Sequence, residues 1–398
     1  MNNNAPELRF PEFESRWKLS PIKSLLTRAS EPVEVEPTET YRQIGVRSHG
    51  KGVFHKEAVL GVELGAKRIF HVVPNALVLN IVFAWEQAIA LTSVTDAGFV
   101  ASHRFPMFLE KDRKSYLPFL RYFFLTRRGK ALLEIASPGG AGRNKTLGQD
   151  AFLKLKATVP GQVEQQKIAN FLDAISQKIS ILKAKKEAIE AHKRGMMQVL
   201  FSQSIRFKGD DGKRFSEWTE QKLGDHLTQV VTRARADTVI PVYSSSRVGL
   251  KRQEDYFADR RLANEGSYGV VPSMHITYRH MSDDLTFKFN LNSLGFDIAV
   301  SKEYPVFTTI GMNIQFLLYW LNNSDDFRRF AIMQKKGGTR TRLYLKSLQN
   351  WTVTLPSIEE QNKIADFLVA IDVKIDTVST QIVQMETFKK GLLQKLFV

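Results

Sequence analysis

Residues 45–52, Gly-Val-Arg-Ser-His-Gly-Lys-Gly, fall one side chain short of the G-x-x-x-x-G-K-[ST] loop that cradles nucleotide phosphates. The chemistry would be phosphate binding by backbone N–H groups, with Lys51 on the outer phosphates and a hydroxyl on magnesium. Gly52 stands where that hydroxyl belongs, and the preceding Tyr-Arg-Gln-Ile is a poor buried strand. The matching stretch of the second half, 242-VYSSSRVGL-250, lacks the pattern, so nucleotide hydrolysis is set aside. No G-x-G-x-x-G, H-E-x-x-H, G-x-S-x-G, amino-methyltransferase Asn/Asp-Pro-Pro-aromatic or nuclease Asp…Glu-x-Lys pattern is found. The chain has no Cys, which removes disulfides, thiol nucleophiles and zinc ribbons together. Its eight His are scattered, and even His275 and His280 lack a third ligand at helical spacing. The residues read as non-catalytic.

What remains is charge. Lys and Arg number 57 against 41 Asp and Glu, a net charge of +16 on 398 residues. Residues 1–160 carry +8 and 202–355 carry +6, whereas 161–201 and 356–398 are near balance. A basic surface suits nucleic acid, an anionic membrane or an acidic protein, and composition does not choose among them. No run approaches the roughly 18 apolar residues of a membrane span, and the start MNNNAPELRF shows no secretory signal. A cytoplasmic, multi-domain, globular chain is expected.

The elements that must position any binding residues come from a duplication. Residues 160–201 and 356–397 share 18 identities in 42, from 160-PGQVEQQKIANFLDAISQKI-179 against 356-PSIEEQNKIADFLVAIDVKI-375. The large segments repeat more faintly: 8-LRF-10 with Trp17 answers 205-IRF-207 with Trp218, and Val72-Val73-Pro74 answers Val270-Val271-Pro272. The similar segments read as long helices. Ser357 and Glu360 form a capping-box pattern; in the first copy Gly161 takes the cap position and Glu164 keeps the acidic place. Ile364, Ile371, Ile375, Val378, Ile382, Met385, Leu392 and Leu396 keep a heptad seam. So do Ile168, Ile175, Ile179, Leu182, Ile189, Met196 and Leu200, interrupted by Lys186 and Lys193. Each helix should be a rod of about 60 Å. The large segments alternate short β-branched stretches, such as 69–73, 76–85, 239–243, 268–272 and 274–278, with Gly, Pro, Asn and Ser. A helix is expected at 116–136 and at 312–333, each followed by a Gly-rich basic loop.

The doubled pieces 159-VPGQVEQQKIANFLDAI-175 and 355-LPSIEEQNKIADFLVAI-371, each after a basic variable segment, closely resemble specificity subunits of type I restriction–modification systems. Leu147 and Leu343 after the Gly-rich loops, and the Gly-[ML]-[ML]-Gln-x-Leu-Phe helix ends, support the likeness over the whole chain. The resemblance implies an α+β fold. Two pseudo-two-fold-related target-recognition domains, 1–158 and 202–354, are separated by two long antiparallel coiled-coil helices, 159–201 and 355–398. It implies that each domain reads one half of a bipartite, asymmetric site in double-stranded DNA. The helices would dock two methyltransferase subunits and, through them, restriction subunits. S-adenosylmethionine and ATP with magnesium would belong to those partners, leaving none for this chain, in a prokaryotic cytoplasm. Ile168, Ile175, Ile179, Leu182, Ile364, Ile371, Ile375 and Val378 are the residues expected at the helix seam and partner docking.

The DNA-contacting candidates lie in polar turns at matching places of the two copies, where a rigid scaffold can present them to a groove. In the first copy they are Arg47, Ser48, His49 and Lys51, with Arg143, Asn144 and Lys145 of the Gly-rich loop. In the second they are Ser244, Ser245, Ser246, Arg247 and Lys251, then Lys335, Lys336, Arg340 and Arg342. Two other classes fit the residues: an architectural nucleic-acid-binding protein without a methyltransferase partner, and a coiled-coil adaptor between proteins.

Overall fold

The structure, a computed structural model, describes residues 5–65, 67–140, 145–257, 267–335 and 339–398. The chain divides into two compact units, Met1–Lys183 with Thr380–Val398, and Ala184–Ser379.

In the first unit the strands Leu26–Ala29, Met107–Glu110, Leu77–Leu79 and Ile89–Leu91 form an antiparallel sheet in that spatial order. The apolar run expected as one strand over 76–85 stops pairing at Leu79. There Asn80 Oδ1 accepts the N–H of Val82 at 3.1 Å and turns the chain, a local bond that competes with the ladder. Leu77, Val78 and Leu79 are all fully buried because both faces are covered. Leu77 and Leu79 join a core with Phe119, Phe123 and Phe124, while Val78 joins a second core with Ile44 and Ala90. Each such side chain removed from water contributes about 1.5–3 kcal/mol. A second sheet holds Pro32–Val33, Ile69–His71 and Val100–Ser102, and the hairpin Ile44–Val46 with Val53–His55 forms its own ladder, with Ile44 and Val46 packed in the core that Val78 joins.

The helix expected over 116–136 is two helices, Leu117–Leu125 and Arg127–Ile135. Thr126 takes extended backbone angles and its hydroxyl accepts the Gly129 N–H at 3.0 Å, an N-cap that restarts the helix. The two helices meet so closely at Gly129 that a Cβ there would lie 2.1 Å from the Phe123 carbonyl oxygen.

The second unit repeats this plan in its two larger sheets. Its main sheet runs Leu227–Gln229, Val306–Thr309, Ile276–Tyr278, Phe289–Leu291, and its second sheet Arg233–Arg235, Ser267–Val271, Ile298–Ser301. The expected strand over 239–243 is displaced to Tyr243–Ser246, which pairs with Gly249–Arg252. The helix expected over 312–333 again splits, into Ile314–Asn323 and Asp325–Met333, with Ser324 capping Phe327 N–H at 3.1 Å.

The long helices run Gln162–Phe201 and Ile358–Lys395, each entered from a strand, Lys156–Val159 or Thr352–Leu355. They are rich in good helix formers and free of internal Pro. They pair antiparallel: Lys183 meets Glu386 at 2.6 Å, and Lys193 meets Asp372 within 2.6 Å. Seven of the eight seam residues, Ile168, Ile175, Ile179, Leu182, Ile364, Ile371 and Val378, are buried, and Ile375 is half-buried. Their side chains are therefore spent inside this chain, and a partner would meet other faces of the helices. Lys193, which interrupts the seam in the sequence, is satisfied by Asp372 and lies 4.6 Å over the ring of Tyr319. Lys389, one repeat later, lies 5.4 Å over the ring of Tyr122.

The capping-box expectation is corrected. Ser357 Oγ faces the Glu360 N–H at a long 3.5 Å, but the Glu360 side chain turns away from the helix end. It accepts Arg206 Nε at 3.1 Å, Arg206 Nη2 at 2.8 Å and Trp218 Nε1 at 3.1 Å. Glu164 does the same with Arg9, at 2.8 Å twice, and with Trp17 at 3.1 Å. The next residue has its own task. Gln165 Oε1 accepts the Tyr116 N–H, and Gln361 Oε1 the Asn313 N–H, each at the start of a helix pair. The repeated Glu-Gln dipeptide thus fastens an N-terminal strap and a helix pair to the head of each long helix.

Candidate nucleic-acid interface

Residues 47–52 form the turn of the hairpin Ile44–Val46/Val53–His55, closed by Arg47 N–H donating to the Gly52 carbonyl at 3.0 Å. A strand follows, where phosphate-cradle geometry needs a helix. Gly45 is required here: a Cβ would lie 2.3 Å from the Phe54 ring, which crosses the hairpin. Arg47 stacks on that ring at 4.8 Å and is exposed, as are His49 and Lys51. Ser48 Oγ donates to Glu86 Oε2 at 2.8 Å, and the His49 N–H to the Glu86 carbonyl at 2.8 Å. These bonds tie the hairpin tip to the loop that leaves strand Leu77–Leu79.

That loop supplies residues the sequence did not single out. Asn80, Phe83 and Phe105 share with Arg47, Ser48, His49, Lys51 and Lys56 an open groove of about 470 Å³. A neighbouring groove of about 300 Å³ adds Lys67, His103 and Arg104. Lys145 belongs to the same edge, its ammonium 5.1 Å over the Trp85 ring, because the Leu147 N–H donates to the Ile81 carbonyl at 2.8 Å. Arg143 and Asn144 lie outside the described residues.

In the second unit the corresponding hairpin is Tyr243–Ser246/Gly249–Arg252, and the corresponding loop follows strand Ile276–Tyr278. The Leu343 N–H donates to the His280 carbonyl at 2.8 Å, the counterpart of Leu147 and Ile81. This brings Arg340 and Arg342 beside Met281–Ser282, with Met281 paired to Arg342 and Ser282 to Thr341. Arg247 Nη2 donates to Asp284 Oδ1 at 2.7 Å, and Arg340 Nε to Asp283 Oδ1 at 2.8 Å. Asp284 is held by the Ser282 hydroxyl and the Thr286 N–H. The Thr286 N–H and then that hydroxyl lower its pKa below the ordinary carboxylate value, keeping it ionised. Tyr344 is exposed and faces His280, a near-buried ring whose pKa burial pushes down.

Two sequence candidates are corrected by this geometry. Ser245 is buried and accepts Asn290 Nδ2 at 2.8 Å, so it supports the hairpin instead of facing outward. Ser246 Oγ donates to the Gly249 carbonyl at 2.7 Å and is used up closing the turn. Ser244 is half-buried opposite Lys251, and Lys251, Arg247, Lys335, Arg340 and Arg342 are exposed. Lys336 lies outside the described residues. Arg104, Trp85 and the Asp283-Asp284 pair sit far in sequence from the Gly- and Ser-bearing turns, and Lys56 stands past the turn, four residues after Gly52. Their only sequence signal is their place just after the strands Leu77–Leu79, Val100–Ser102 and Ile276–Tyr278 or inside the hairpin.

Each unit therefore ends in one edge built of a hairpin tip, the loop after the third sheet strand, and the exit of a Gly-rich loop. The edges share backbone plan and differ in side chains: Ser48 on Glu86 in one, Arg247 on Asp284 in the other. Exposed cations beside half-exposed aromatic rings can bind a polyanion and stack on or contact bases. Among the described residues no group of His, Cys, Asp or Glu is placed to hold a metal, and no helix is long and apolar enough to cross a membrane.

Solved structures with the same fold include the HsdS subunit from Thermoanaerobacter tengcongensis, 14% identical, with 97% of this chain and 98% of that chain covered and a TM-score of 0.53. The S subunit of a type I restriction–modification system from M. genitalium is 15% identical, with 99% of both chains covered and a TM-score of 0.56. A chain from a structure on complex assembly and conformational transition of the type I R-M system is 15% identical, with 96% and 97% covered and a TM-score of 0.55. The family model described as type I restriction modification DNA specificity domain matches twice, at residues 78–191 and 289–387, together more than half of the chain. Duplicated in sequence, repeated in topology and matched in both halves, the chain belongs to the type I restriction–modification DNA specificity family.

Proposed function

We propose that this chain is the non-catalytic, sequence-reading subunit of a type I restriction–modification complex. Its recognition domains, 1–158 and 202–354, each read one half of a bipartite, asymmetric DNA site. The helices 159–201 and 355–398 set the spacing and dock two methyltransferase subunits, and restriction subunits join through those. S-adenosylmethionine and ATP with magnesium are held by the partners, in the cytoplasm of a prokaryote. The contacts come from Arg47, His49, Lys51, Lys145, Arg247, Lys251, Lys335, Arg340 and Arg342, with Arg143, Asn144 and Lys336 alongside.

The observation that carries this reading is the pair of equivalent edges, the same scaffold displaying different polar side chains. A protein that reads two different half-sites needs that division between a repeated frame and unrepeated contacts. Methylome sequencing of cells with and without this gene tests it. One bipartite motif should lose its methylation on deletion; an unchanged methylome in cells that express the complex would overturn the reading. Native mass spectrometry of the co-expressed complex should give two methyltransferases per chain, and a stable one-to-one species at excess methyltransferase would refute that ratio.

A further inference from the structure

Arg340 and Asp283 form an exposed pair that surface electrostatics alone does not explain. Such a pair is worth little as a stabiliser, because both groups remain hydrated. Its geometry is informative. Asp283 takes only the side nitrogen Nε of Arg340, and among the described residues the guanidinium makes no other hydrogen bond. The end edge of the guanidinium, one N–H from each terminal nitrogen, has no acceptor among the described residues. That is the end-on fork that matches two acceptors in one plane.

We propose that Arg340 reads a guanine in the half-site of the second unit, its two terminal amino groups donating to O6 and N7, with Asp283 as the positioning residue. The inference rests on the DNA-reading function proposed above. Guanine presents those two acceptors together in the major groove, and a bidentate arginine is the commonest way they are read. A backbone phosphate is the alternative partner for any arginine. The carboxylates of Asp283 and Asp284 argue against it, since both sit beside the guanidinium groups and would repel a phosphodiester. A base edge carries no net charge, and an adjacent cytosine amino group can donate to a carboxylate. The backbone also fixes the pair: Thr341–Arg342 is laddered to Met281–Ser282, so Arg340 and Asp283 face each other at the next register position. Lysine would not serve, because it has one rotating ammonium and no planar fork.

The first unit holds its hairpin tip by the same device with other chemistry, Glu86 on Ser48. Guanine reading through a clamped arginine is thus assigned to the second unit only.

The test uses the complex co-expressed with its methyltransferase and the DNA motif found by methylome sequencing. Each guanine of the motif is replaced in turn by 7-deazaguanine, which lacks the N7 acceptor, and binding to the wild-type complex is measured. One position in one half-site should weaken binding clearly, and Arg340→Ala should abolish the preference for guanine at that same position. The expected loss of discrimination is about 5- to 150-fold there, with the other positions unmoved. Asp283→Asn should lower discrimination at that position while raising affinity for unrelated DNA, two opposite changes that a merely structural role would not produce. Specific binding with no 7-deazaguanine penalty in either half-site, or an Arg340→Ala loss spread equally over all sequences, would overturn guanine reading and leave DNA reading intact. A wild-type complex with no sequence preference would overturn both.

Discussion

Arg206 and Glu360, 154 residues apart in the chain, meet through two parallel hydrogen bonds of 3.1 and 2.8 Å, with the carboxylate buried beneath Trp218. Arg9 and Glu164 repeat the arrangement under Trp17. Each guanidinium is held in its charged form by the hydrogen bonds it donates to its carboxylate partner, against the opposing effect of burial.

Removing the buried carboxylate of such a pair should be costly, because its guanidinium and indole donors lose their acceptor. Glu360→Ala leaves the Trp218 indole without a partner and Arg206 with only the exposed Glu217 as countercharge, and should destabilise the chain by about 2–4 kcal/mol. Thermal unfolding of the purified chain measures it; an unchanged midpoint would mean that the latch is ornamental. Arg206→Lys keeps the charge but loses the fork, and should fall between wild type and Arg206→Ala.

Gly129→Ala should be more damaging than its single added methyl suggests. The new Cβ would meet backbone, Phe123 O at 2.1 Å and Phe124 Cα at 2.4 Å, so the two helices must separate. A loss of about 2 kcal/mol or more is expected. A soluble variant with a wild-type midpoint would show that the helices slide apart freely.

Alkaline stability should report on Tyr122. Burial, then its 2.6 Å hydrogen bond to Asp173, push its pKa up to about 12 from 10. A group whose folded pKa is raised binds its proton more tightly when folded. Its contribution is whole below pH 10 and is lost as pH rises from about 10 towards 12. Tyr122→Phe should cost about 1 kcal/mol at neutral pH and flatten that alkaline decline. Equal slopes in wild type and variant would assign the decline to other groups.

Ile371→Asp puts a carboxylate on a buried seam position of the C-terminal helix, where desolvation costs several kcal/mol. The variant should lose helix pairing and, with it, assembly with the methyltransferase in co-purification. Full recovery of the complex would place Ile371 outside the seam.

Exchanging residues 202–350 for those of a related subunit should change one half-site of the methylated motif and keep the other. Methylome sequencing reads both at once. If both halves changed together, the two edges would not read independently.

The sequence displays the duplication, the long helices and their seam because these depend on local period and composition. Ile168, Ile175, Ile364 and Ile371 announce themselves by spacing and are buried as spaced. The split of each helix pair at Thr126 and Ser324 was missed, since a threonine or serine caps only when tertiary packing lets the backbone extend. The candidate edge was half legible. Glycine and serine turns point to Arg47 and Arg247, but nothing in the local pattern says that Glu86 or Asp284 will clamp those tips. Ser245 looked like Ser244 in sequence; alternation along a strand sends one inward to Asn290.

The latch between Arg206 and Glu360 bears on where such chains can exchange parts. A breakpoint placed within the second recognition domain or just after residue 201 joins an incoming strap to a resident helix. The graft closes only if the newcomer carries an arginine and a tryptophan where Arg206 and Trp218 stand. Shuffling among relatives is therefore free to change the reading edges and is held to a fixed key at the helix heads.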